Sequence, residues 1–157
     1  MLNASRVRHL HDADEGVVLR DITDGAETST ATETGVSLKE LDQAYWHNGE
    51  IPFGVLMVQV QITACVADDA ANAAETYALS LVCDDTQAMS DSPVVLVTVP
   101  VPDGYTGMVY MFVDTRTIPD FDPDSSGTDK WLAIRATLTG DVASITYGAS
   151  IVKSLNV

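Results

Sequence analysis

Asp120, Asp122 and Asp124 occupy alternate positions in FDPDSSGTD, and carboxylates so spaced can converge on a calcium ion from a loop. The pattern departs from an EF-hand, which counted from Asp120 would require Gly at position 125 and Glu at position 131. Ser125 and Trp131 stand there instead. A solvated acidic loop is the stronger reading. His9 and His11 flank Leu10 and would share one face of a strand, but two ligands do not close a structural zinc site. His47, Asp42 and a serine make a triad only on paper, because no nucleophile-elbow glycines surround any serine. A Gly-rich phosphate loop, a CxxC pair and an HExxH motif are all missing from the sequence. The expectation is a protein that is not an enzyme and carries no cofactor.

The elements that must position such residues fit within one domain, since 157 residues bury roughly two-thirds of their unfolded surface in a single core. No apolar run approaches the ~20 residues of a membrane helix. The amino terminus MLNASRVRHLHDADEG has no apolar block after Arg6 and Arg8, so no secretory signal is expected. Net charge is -15, from 23 acidic and 8 basic residues, and the imbalance lies beyond residue 20. A body this acidic repels phosphate, which disfavours nucleic acid and acidic partners and leaves a basic partner possible. Cys65 and Cys83 end two alternating runs read as neighbouring strands; buried reduced thiols are the stronger reading, and a disulfide the other.

Alternation of apolar and polar residues marks the strands. In the run from Val55, Leu56, Val58, Val60 and Ile62 share one face; in TYALSLVCD, Tyr77, Leu79, Leu81 and Cys83 do so before Asp84-Asp85 stops it. Ser92-Pro93 restarts an extended, β-branched segment through Val99. Met108 to Val113 is continuously apolar, as in a strand buried on both faces, and Arg116 to Asp129 reads as a long surface loop. Leu132, Ile134, Ala136 and Leu138 point inward, as do Ala143, Ile145, Tyr147, Ala149 and Ile151. Residues 1–50 are more polar and read as an arm or a set of edge elements, with a short strand from Val17, Val18, Leu19 and Ile22 and a Thr-rich run, GAETSTATETG, that must be exposed or lie extended against something else. The expected fold is all-β: an antiparallel β-sandwich or jelly-roll over 36–157, preceded by an extended arm over 1–35.

The run LSLVCDDTQAMSDSPVVLVTVPVP, followed by GYTGMVYMFVD and KWLAIRATLTGDV, resembles the small β-sandwich cement, or decoration, proteins of tailed-bacteriophage capsids, especially the family typified by a Bordetella phage. Asp84-Asp85, Ser92-Pro93, Trp131, Arg135 and Gly140 carry the likeness, which spans roughly residues 54–152. The amino-terminal segment and the loop over 116–129 are longer than that family's pattern. The resemblance implies a protein of the virion's outer surface that binds major capsid protein, commonly as homotrimers, and clamps neighbouring subunits. On that reading the contact residues are Arg6, Arg8, His9, His11 and Arg20 of the arm, with Tyr45, Trp46 and His47 beside the Asn48-Gly49 turn. The alternative is a carbohydrate-binding β-sandwich using Trp46 or Trp131 and the aspartate loop with calcium.

Overall fold

Period-two patterning gives each long strand an apolar and a polar face, and burying the apolar faces requires a second sheet. A computed structural model describes residues 17–38, 55–67, 75–114, 117–119 and 130–152. They hold ten strands: β1 (Val17–Arg20), β2 (Ala26–Glu27), β3 (Ala31–Thr32), β4 (Val36–Ser37), β5 (Val55–Cys65), β6 (Thr76–Asp84), β7 (Val94–Val101), β8 (Gly107–Asp114), β9 (Trp131–Thr139) and β10 (Ile145–Val152). A 3-10 turn, Ile22–Asp24, follows β1. Sheet A has the order β1-β10-β5-β8, with β2 also on β10. Sheet B has the order β3-β9-β6-β7, with β4 also on β9. All pairings are antiparallel. Among these strands the chain changes sheet at most steps and forms one long in-sheet hairpin, β6–β7, which is the jelly-roll arrangement.

The inner faces are those the alternation predicts. Leu56, Val58, Val60 and Ile62 of β5 meet Leu79 and Leu81 of β6, Leu132, Ile134 and Ala136 of β9, and Ile145, Tyr147, Ala149 and Ile151 of β10 in one cluster. Leu79, Leu81, Leu132 and Ile134 are fully enclosed, so truncating any of them to Ala costs about 2–5 kcal/mol.

Four details differ from the sequence reading. The segment assigned to an extended arm over 1–35 contributes, from Val17 onward, strands to both sheets: β1 and β2 lie along β10 and β3 along β9, where β4, from the assigned sandwich domain, also lies. A polar Thr-rich run can do this because a strand ladder is held by backbone groups and needs no apolar side chain of its own. Next, β8 is an edge strand whose outward face is open, with Tyr110 48% and Phe112 60% exposed, and not a strand buried on both faces. Cys65 and Cys83 are free thiols, as the stronger reading expects, but their strands β5 and β6 lie in opposite sheets and not side by side, and Cys65 is only half-buried. Burial pushes both thiols up, more than nearby groups offset. Finally, Ile118, within the expected surface loop, is buried in the core cluster.

Candidate interaction surface

The sandwich has two long sides, and the sequence treats them differently. On the first, β1 and β2 of sheet A approach β3 of sheet B, and Arg20 joins them. Its guanidinium pairs with Glu27 at 2.6 Å and with Glu33, which follows β3. It also donates to the Gly25 carbonyl at 2.8 Å and to the Tyr147 carbonyl at 3.2 Å, and lies 4.8 Å from the centre of the Tyr147 ring. Burial works against its charge, but attraction and hydrogen bonding from Glu33, then attraction from Tyr147 and Glu27, outweigh it and raise the Arg20 pKa. Burial likewise raises the Tyr147 phenol, beyond what Arg20 offsets. Arg20 is 5% exposed. The residue proposed from sequence as an arm contact is thus placed as an ion-paired tie between the two sheets.

On the second side lie the edge strands β7 and β8, joined by the turn after Pro102 and in contact with each other. Their residues, VVLVTVPV and GMVYMFVD, include one charge, Asp114. Because β7 enters and β8 leaves at the same end, Val94 and Val95 of β7 share that end with Tyr110 and Phe112 of β8, and Val55 pairs with Asp114 there. These five residues are between 42% and 60% exposed. Next to Phe112 the outward row continues on β5 through Met57, paired with Phe112, and Gln59, paired with Tyr110. The result is an aromatic-edged margin with Asp114 as the one charge of its two strands, on an acidic protein, the kind of surface that marks an interaction site.

A groove of about 250 Å³ runs beside this margin on the outer face of sheet A, floored by Gln59, Gln61, Gly148 and Ser150 and walled by Ile22 and Met108. Its floor depends on Gly148, where an added Cβ would lie 2.9 Å from the Ile22 Cβ and 3.1 Å from its backbone nitrogen. Sheet B is finished differently. Its outer face carries the Ser80–Thr98 hydroxyl pair at 2.8 Å, and its end is covered by a loop folded around Asp84. The Asp84 carboxylate accepts the Asp85 and Asp91 N–H groups at 2.7 and 2.9 Å and the Thr86 hydroxyl at 3.2 Å. Burial alone would raise its pKa, but the bonds from Asp91, Asp85 and Thr86 prevail and lower it. Met89 of this loop packs on Val82, Ala133 and Trp131. The acidic pair read as a strand terminator therefore ends β6 and also builds the turn, with Asp85 ion-paired to Lys130.

Arg6, Arg8, His9, His11, Tyr45, Trp46, His47, Asp120, Asp122 and Asp124 lie outside the described residues. Among the described residues no group of three or more His, Cys, Asp and Glu could hold a metal ion, and no helix is long and apolar enough to cross a membrane. Sequence reasoning missed the β8 margin because an apolar run reads the same in a doubly covered strand and at an open edge. The aromatics at alternate positions, Tyr110 and Phe112, were the available signal. Comparison of the chain with protein-family models, with curated proteins and with solved structures gives no match.

Proposed function

We propose that this protein is an accessory capsid protein that binds the outer surface of a tailed-phage head and holds neighbouring major capsid subunits together. The observation that carries the reading is the exposed apolar β7–β8 margin, whose one charge is Asp114, on a jelly-roll whose net charge is -15. Such a body stays soluble and repels the DNA-bearing interior, while one apolar side is available to bury against protein. The likeness of Asp84-Asp85, Ser92-Pro93, Trp131, Arg135 and Gly140 to cement proteins points the same way. Arg6, Arg8, His9, His11, Tyr45, Trp46 and His47 are further proposed contacts with major capsid protein or with sister copies. The test is co-sedimentation with DNA-free, expanded heads assembled from the major capsid protein encoded in the same genome. Full-length protein should pellet with the heads, and deletion of residues 2–16, which spares β1, should weaken pelleting. Full-length protein that stays in the supernatant contradicts the reading.

A second reading, a carbohydrate-binding module, is favoured by the groove, whose Gln59, Gln61 and Ser150 lining suits sugar hydroxyls beside the exposed Tyr110 ring. A glycan array probed with and without chelator separates the two, since a capsid protein gives no signal on it.

A further inference from the structure

An edge strand exposes a row of backbone N–H and C=O groups and invites another strand, so proteins guard such edges with charge, proline or a bulge. Strand β7 is guarded in this way. Pro100 lies within it, and its register against β6 shifts beside Leu96, between the Leu81–Val97 and Val82–Val95 pairs. Strand β8 has none of these devices. It contains no proline, its register against β5 is unbroken from Gly107–Ile62 to Asp114–Val55, and it is uncharged from Gly107 to Val113. Among the described residues no strand lies along its outer edge.

From this we infer that β8 pairs antiparallel with β8 of a second copy, making sheet A continuous across a two-fold axis. Charge tolerates this occupant only at this margin, and disfavours a basic one here. Two bodies of net charge -15 repel except where they meet through neutral surface, and a basic partner would be steered to the acidic turns at Asp24, Asp85, Asp91, Asp103 and Asp141 in preference to this margin. The strand is also self-complementary. Registers that keep outward side chains on one face set Tyr110 and Phe112 of one copy against the same apolar row of the other, and cross-strand aromatic pairs stabilise a ladder. Antiparallel pairing further sends the two Asp114 carboxylates to opposite ends of the shared ladder, so the one charge on β8 does not oppose itself. A two-fold contact of this kind is isologous and closes at two copies, in contrast to the trimer that the cement-protein resemblance implies. The inference does not rest on the capsid reading.

Sedimentation velocity of the full chain, without heads, tests it. The wild type should sediment as a dimer at micromolar concentration, and added salt should strengthen the dimer by screening the like charge, where salt would weaken a contact with a basic partner. The double variant Tyr110→Lys/Phe112→Lys should sediment as a monomer with an unchanged β-type circular dichroism spectrum. A second variant, Phe112→Cys in a Cys65→Ser/Cys83→Ser background, should show strong dipolar broadening between nitroxides in the dimer. A monomeric or trimeric wild type, a dimer that survives the double lysine variant, or a dimer without broadening overturns the inference.

Discussion

Where β1 and β2 meet β3, the guanidinium of Arg20 reaches Glu27 on one sheet and Glu33 beside the other, and the side is closed. Where β7 meets β8, the strands carry only Asp114 as a charge, and Tyr110, Phe112, Val94 and Val95 face solvent. Both sides join the same two sheets around the same core. The difference is that the first side pairs its charged groups with one another within the chain, while the second leaves an aromatic row exposed and, among the described residues, an open ladder edge. On the proposed reading, stability and recognition lie on opposite flanks, so substitutions can address one without the other.

The largest effect is expected on the closed side. Arg20→Ala leaves the Glu27 and Glu33 carboxylates, each about one-fifth exposed, without their cation, and should lower unfolding free energy by about 3 kcal/mol in urea denaturation. A loss below about 1 kcal/mol would mean that the flank is held by its backbone ladders and not by charge. Gly148→Ala comes next. Its Cβ would press on Ile22 at 2.9 Å, displacing the 3-10 turn from sheet A and costing about 1–2 kcal/mol in the same assay.

A smaller, pH-dependent effect belongs to the loop around Asp84. Its folded pKa is lowered below the unfolded value of about 3.9, so the stabilisation it contributes is present above that pH and is lost as pH falls through the folded pKa. In Asp84→Asn the thermal midpoint should be lower at neutral pH and flatter across the acid range than in wild type; parallel curves would remove Asp84 from the acid response. The smallest effect on folding is expected on the open side. Tyr110→Lys/Phe112→Lys should change the monomer's unfolding free energy by no more than about 0.5 kcal/mol while abolishing association. A large loss of stability would erase the contrast between the flanks.

The inner faces of β5, β6, β9 and β10 were legible because a half-buried strand imposes a period of two on its own residues. The flanks were not. Arg20 finds Glu33 only because β1 and β3 belong to facing sheets, a long-range juxtaposition that no local spacing encodes. Met108 to Val113 misled for a related reason: its composition reports apolar side chains, but whether an outward face is covered depends on the position of the strand in the sheet. The polar run from Gly25 to Gly35 has no apolar period, yet Ala26, Glu27, Ala31 and Thr32 pair through their backbones. Asp84 was recognised as the end of a strand, whereas its part in folding the next seven residues required the positions of the Asp85 and Asp91 amides.

The most direct test of the contrast between the flanks is amide hydrogen exchange of the full chain at low and high protein concentration, followed for β1 and β8 together. If the open flank is the contact surface, protection of β8 amides rises with concentration while protection of β1 amides does not change. Concentration-independent exchange in β8, or a rise shared equally by β1, contradicts it.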